Sequence, residues 1–437
     1  MKQNENYASG GAAISPWTEQ LQARLAGESA TGFNADTFPA GYQYDFSVDD
    51  AVADIGLLGA LQQGSDIALR LYRDAADDHS VLRFKLARQG QQIALSDVLP
   101  LLENFGLRVL GVHPYQLALV NSSTVTLHVF ELEYTAPCAP SADGQRQAAL
   151  ARDFESTAAR FEEAFVKVWQ GAAESDGFNR LILAGEVDWR QVTMLRAYSK
   201  YMKQINLPYT RIYTAATLAK YPMITAHLAA LFEQRFSPAL QSSRQQRCDM
   251  CSAIEKNLLR SLNDVENLTE DQIIRQYLTL LRATLRSNYF QAADGHDYKI
   301  YLSFKFDVNA IPETPKPRPK YEIFVYSPEF EGVHLRGGKV ARGGLRWSDR
   351  HEDFRTEILG LVKAQQVKNS VIVPMGAKGG FVCKQAPASS DREAFLANGV
   401  HCYRQFISAL LELTDNLDND KVIPPQAVVR WDDDDPY

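Results

Sequence analysis

RGGKVARGGLRWSDRHEDFRTEILGLVKAQQVKNSVIVPMGAKGGFVCK, residues 336–384, concentrates glycine pairs and basic side chains more densely than any other part of the chain. Ten Lys or Arg residues stand there against four acids, in a protein of formal net charge -7. Gly337-Gly338 and Gly343-Gly344 allow main chain to pass close to a ligand, so the stretch reads as an active-site floor that holds a small anion. Ser348 and Asp349 then offer helix-capping oxygens, with Glu352 in the capping-box position if Asp349 is the cap, which predicts a helix over about 350–369. On that helix Phe354, Ile358, Leu361, Gln365 and Lys368 step by fours and threes and share one face. A lysine on an inward stripe loses its hydration unless an anion accompanies it. Spacing alone also leaves open that Lys368 extends from the helix end to water.

A short buried strand is expected at 370–373, and MGAKGG sets Lys378 between glycines at its end, where the loops of α/β sheets hold ligands. Glycine follows Lys378 where a nucleotide-triphosphate loop needs Ser or Thr, and the earlier glycine is absent, which excludes that class. A lysine enclosed by glycine backbone at low dielectric is suited to chemistry at a carbonyl or imine.

Outward from this segment, YKIYLSFKFDV (298–308) and YEIFVYSP (321–328) read as strands that lead into it, with a boundary near Ala292 in the turn-like QAADGHD. Residues 147–291 are helical in pattern: 148–169, 189–204, 215–218, 223–236, 244–262 and 270–286. Arg196, Tyr198 and Tyr201 in that block read as solvated or interface faces. Residues 41–136 alternate as helix 49–61, strands 67–72 and 81–86, helix 95–105, and strands 107–112 and 124–134. That order resembles a small α+β sandwich of the ferredoxin-like type. Residues 1–40 are a lead-in with one short helix at 16–25. The expected fold class is therefore α/β and α+β, in several domains.

At 437 residues and 45% hydrophobic composition the chain can bury roughly three domain cores. A net charge of -7 argues against general nucleic-acid binding, which needs a broad basic surface. The N-terminus lacks a signal-peptide core and no run approaches a membrane span, so a cytoplasmic protein without membrane contact is expected. Five cysteines fit reduced thiols better than a disulfide framework. Cys248 and Cys251 form a lone CxxC without a second pair, better read as two thiols on one helix turn than as a metal or redox centre.

GGLR (343–346), KN (368–369) and GAKGG (376–380) occur in an order that resembles the glutamate dehydrogenase superfamily. EGVHLRGGKVARGGLRWSDR (331–350) is similar specifically to the long-chain, NAD-dependent bacterial members. FPAGYQYDFSVDDAVADI and LSDVLPLLENFGLRVLGVHPY resemble that class's ACT-like regulatory region, and the helical block resembles its connecting helices. The resemblance implies a cytoplasmic homo-oligomeric enzyme of amino-acid catabolism that converts L-glutamate to 2-oxoglutarate and ammonium with NAD. It further implies an amino-acid effector at the ACT-like region.

By the same resemblance Lys378 is the catalytic lysine, Lys368 and Gln365 line the substrate pocket, and Arg342 with Gly343 holds a substrate carboxylate. Arg342 stands where the family has lysine, so its geometry differs while its charge is kept. The resemblance divides the chain into lead-in 1–40, regulatory domain 41–136, helical region 147–291 and a truncated substrate-binding part 292–437. The family's acid/base aspartate is expected beyond the chain end, after a strand at Val428 and Val429, and none of Asp432 to Asp435 is assigned that role. No GxGxxG follows a strand, so the NAD-binding Rossmann domain is expected to be absent from this chain, with inactivity alone as the consequence. The alternative is a non-catalytic regulatory protein that binds an amino acid or 2-oxo acid.

Overall fold

Period-two alternation in the first third of the chain yields β1 (Ile67–Tyr72), β2 (Val81–Gln89), β3 (Leu107–Ala118) and β4 (Thr124–Tyr134). The computed structural model describes residues 15–26, 33–74, 77–78, 80–119, 123–136, 153–293, 295–339, 343–369, 376–419 and 421–436. These strands form one antiparallel sheet in the order β1-β2-β4-β3, with the last strand in the centre. The helices Val48–Gln62 and Leu95–Asn104 precede the two hairpins, which is the order the sequence predicts. Both faces of the sheet are buried. Ala87, Leu117, Leu127 and Val129 pack against Leu21, Tyr42, Ile55 and Leu58 on one face. Phe84 on the other meets Phe161, whose ring is also 4.8 Å from that of Phe105.

Residues 1–135 and 154–162 constitute this first unit, and residues 136–153 and 163–437 the second. In the second unit, helices Trp189–Gln204, Arg211–Lys220, Pro222–Phe236, Arg244–Ser261 and Leu268–Ala283 realise the helical pattern. Its sheet has six strands: β5 (Thr284–Ser287), β6 (Leu302–Phe306), β7 (Tyr321–Tyr326), β8 (Phe330–Arg336), β9 (Gly343–Trp347) and β10 (Ala377–Cys383). The order is β5-β6-β7-β8-β10-β9, and β10 runs antiparallel to β8 but parallel to β9. The helix Phe354–Asn369 connects β9 to β10, as a parallel pair requires.

Several expectations are corrected. The helix read as 270–286 ends at Ala283, because Thr284 to Ser287 pair with β6 and carry Arg286 to a buried acid cluster. Arg196, Tyr198 and Tyr201 are fully buried rather than solvated. Arg196 Nε donates to Asp176 Oδ1 at 3.0 Å, while the Tyr201 ring stacks 4.4 Å from Phe306. Residues 428–430 form no strand; beyond them Trp431 N–H donates to Leu285 O at 3.0 Å. Cys248 and Cys251 lie on the helix Arg244–Ser261 as free thiols. Among the described residues no group of three or more His, Cys, Asp or Glu is placed to hold a metal. No described helix is long and apolar enough to cross a membrane.

Candidate functional site

The glycines of residues 376–380 are where chain meets chain. A Cβ on Gly380 would lie 2.4 Å from Ile358 Cδ1, and one on Gly376 would lie 2.4 Å from Gln365 Nε2. Two turns of the Phe354–Asn369 helix therefore settle onto β10 only because those positions lack side chains. On the opposite face a Cβ at Gly379 would strike Leu345 and the His334 ring. Gly343 is forced by an even closer pass, since its Cβ would fall 1.6 Å from Ala377 O.

Lys378 occupies the one position of this run that keeps a long side chain. It is the second residue of β10, not a loop residue, and is paired with Leu335 on β8 and Gly344 on β9. Strand alternation puts it on the same face as Gly376 and Gly380, the face covered by the helix. Its ammonium is the nearest atom, at 3.5 Å, to where a Cβ on Gly344 would be. The structure thus brings Lys378, Gln365, Gly343 and Gly344 to one end of β10. Lys368 follows Gln365 by three residues on the same helix; its side chain lies outside the described residues, as do Arg342 and the strand expected at 370–373.

The helix starts four residues later than the sequence predicts. Ser348 Oγ accepts from Arg350 N at 3.1 Å and donates to Glu357 at 2.5 Å, while Arg350 Nε pairs with Asp353 at 2.9 Å. These bonds hold 348–353 as a turn, and Glu352 makes no capping box. Among the described side chains of the helix, Phe354, Arg355, Ile358, Leu359 and Val362 are buried, with Gln365 half-buried beyond them.

The local excess of positive charge largely disappears in space. Arg346 pairs with Glu357 at 2.6 Å, and Arg355 with Glu322 at 2.6 Å, both fully buried. Lys384 is shared between Glu174 and Glu331. Arg336 binds Asp435, which also takes Lys305 at 2.5 Å. Burial alone would raise the Asp435 carboxyl, but Arg336 and Lys305 outweigh it and hold it below the usual range. Asp432 accepts from Arg286 Nε at 2.6 Å. Asp432 and Asp435 are therefore structural counter-ions. Burial, then Arg336, pushes His334 down to about 3, so its imidazole is neutral.

Lys378 differs from these, and also from Lys339 and Lys363, which lack a carboxylate partner among the described residues but are exposed to water. It is half-buried, and among the described residues no carboxylate lies within ion-pair distance of it. The sequence marks this lysine through its glycines, but the acids that silence its basic neighbours come from residues 174, 322, 331 and 435. Part of the signal is in the sequence: Lys305 and Glu322 are single charges inside otherwise apolar strand runs.

Residues 257–437 match the family model for the bacterial NAD-glutamate dehydrogenase catalytic domain. Residues 173–238 and 34–61 match glutamate dehydrogenase helical motifs 3 and 2, and residues 66–146 its ACT3 domain. An NAD-specific glutamate dehydrogenase of Halomonas elongata is 50% identical over 402 residues, 92% of this chain and 24% of that protein. The one from Pseudomonas aeruginosa is 48% identical over 92% of this chain and 24% of its own length. That of Mycobacterium tuberculosis is 40% identical over 97% and 26%. The chain thus spans about a quarter of the length of these relatives. With matches to four of its constituent domains and 40–50% identity over most of its residues, the chain belongs to the bacterial NAD-glutamate dehydrogenase family.

Proposed function

We propose that this chain carries the substrate-binding and regulatory portions of an NAD-dependent glutamate dehydrogenase, which oxidatively deaminates L-glutamate to 2-oxoglutarate and ammonium. The observation that carries the reading is the uncompensated, half-buried Lys378 beside the Gln365 amide and the Gly343-Gly344 backbone, in a segment matching the family's catalytic domain. A cation desolvated without an acid is poised for an anionic or strongly dipolar ligand.

In this reading Lys378 is catalytic: its ammonium donates to the 2-oxo oxygen and stabilises negative charge that develops there as the imine is hydrolysed. Lys368 and Arg342 bind the two carboxylates, Gln365 orients the substrate, and the Gly343 backbone admits it. Residues 41–136 form the regulatory domain, with an amino-acid effector, 147–291 the helical region and 292–437 the substrate-binding part. The enzyme works as a homo-oligomer in the cytoplasm. NAD accepts the hydride in the family reaction. The space beside Gly376, Gly379 and Gly380 is filled by Gln365, Leu345, His334 and Ile358, so this glycine run does not fit a pyrophosphate.

Calorimetric titration with 2-oxoglutarate tests the site. Saturable binding is expected, weakened by about tenfold or more in Lys368→Ala through loss of a charged hydrogen bond. A folded protein that binds neither 2-oxoglutarate nor L-glutamate would refute the assignment.

A further inference from the structure

A cavity of about 410 Å³ opens in the same unit away from Lys378. One wall is the end of the Trp189–Gln204 helix with the turn that follows it, and the other is formed by Val382 and Lys384 at the far end of β10. Four cations line it, Lys200, Lys203, Arg211 and Lys384, against two acids, Glu331 and Glu352. Glu331 is already committed, 2.9 Å from Lys200 and 3.1 Å from Lys384. Glu352 is exposed and stands 3.5 Å from Lys203.

Arg211 is left over. It is exposed, and among the described residues no acid pairs with it. It is also the first residue of the helix Arg211–Lys220, where the helix dipole is positive and disfavours a cation unless an anion is added. Leu207, Pro208 and Val382 give the cavity an apolar patch beside these charges. A planar guanidinium fork over such a patch matches a carboxylate on a short carbon skeleton.

We propose that this cavity is a second binding site, separate from Lys378, which takes a small carboxylate anion on Arg211 and Lys203. The test is calorimetry of the 437-residue chain with malonate, in a Lys368→Ala background that weakens the first site. Saturable binding is expected, lowered about tenfold by adding Arg211→Ala, the size of one charged hydrogen bond. Lys256→Ala, an exposed lysine on the helix Arg244–Ser261, is expected to leave it unchanged. Absence of binding, or equal loss in the Lys256 variant, would overturn the site. Inorganic phosphate binding more tightly than malonate would overturn the carboxylate assignment. Arg211 and Lys203 are exposed, so circular dichroism of the variants is expected to match that of the parent.

Discussion

Arg336 and Lys378 lie on neighbouring strands one residue apart in register, since Arg336 pairs with Ala377 and Lys378 with Leu335. Alternation sends them to opposite faces of the sheet. On Arg336's face the cations meet a matching set of acids: Asp435 for Arg336 and Lys305, Asp432 for Lys305 and Arg286, Asp415 for Arg286. On Lys378's face the neighbours are an amide, an isoleucine and glycine backbone. Farther along that same face Arg355 meets Glu322 and Lys384 meets Glu331, so the same residue chemistry is architecture where an acid arrives and a candidate site at Lys378. What separates them is the presence of a counter-charge, not the density of lysine and arginine.

The largest expected effect breaks the pairing on the architectural side. Asp435→Asn leaves Arg336 and Lys305 buried with less compensation, and removal of one partner from such a cluster costs about 3–5 kcal/mol. Lys378→Ala removes a cation that has no acid partner and is expected to change stability by less than about 1 kcal/mol, and in the full-length enzyme to abolish turnover. Denaturant midpoints measure both. Equal destabilisation by the two substitutions would erase the distinction between the faces.

That distinction explains what was legible in the sequence. The helix Trp189–Gln204 and the helix-strand-strand-helix-strand-strand order of the first unit follow from local periodicity and were readable. Lys378 stands out in the sequence as a candidate because its glycines adjoin it. The fates of Arg336, Arg355 and Lys384 were not readable, because each is decided by an acid tens of residues away in sequence, at Asp435, Glu322 or Glu174. Arg196 misled for the same reason: an amphipathic-looking helix position is fully buried because Asp176 and Asn179 arrive to receive it.

Adjacent glycines sharpen the comparison at the next scale. Gly343→Ala would place a Cβ 1.6 Å from Ala377 O, whereas at Gly344 the nearest atom would be the flexible Lys378 ammonium at 3.5 Å. The first is expected to cost about 3 kcal/mol by overpacking against backbone. The second is expected to leave stability near the parent's and to weaken 2-oxoglutarate binding by crowding Lys378. A Gly343→Ala protein as stable as the Gly344→Ala one would mean that β9 and β10 do not pass this closely.

Acid titration probes another paired cluster. Burial would raise Glu174, but Lys384, Lys200 and Arg196 outweigh it and bring it from 4.5 to about 2. A carboxyl depressed on folding contributes stability that is present above its unfolded value and lost as pH falls through the folded one. The loss is therefore expected between about pH 5 and pH 2; because Glu174 shares its cations with Glu331, the share assigned to it is about 1–2 kcal/mol. Glu174→Gln should flatten that part of the stability curve. An unchanged acid slope in the variant would show that Glu331 alone accounts for Lys200 and Lys384.

The smallest effect joins the two uncompensated places. Gln204 lines the Arg211 cavity, and its amide donates to His351 O and Glu352 O at 3.3 and 3.2 Å and accepts from Arg355 N at 3.1 Å. It thereby holds the start of the helix whose later turns carry Gln365 and Lys368. β10 likewise runs from Lys378 to Val382 at the cavity wall. A ligand at Arg211 thus bears on both elements that build the Lys378 site, and by linkage each ligand must alter the other's affinity by the same factor. Malonate in the Arg211 cavity is expected to shift 2-oxoglutarate affinity about two- to fivefold, a coupling of about 0.5–1 kcal/mol. Gln204→Ala is expected to remove the shift while leaving both ligands bound. Coupling that survives Gln204→Ala would assign the transmission to β10, and identical affinities with and without malonate would mean that the two sites share elements without sharing energy.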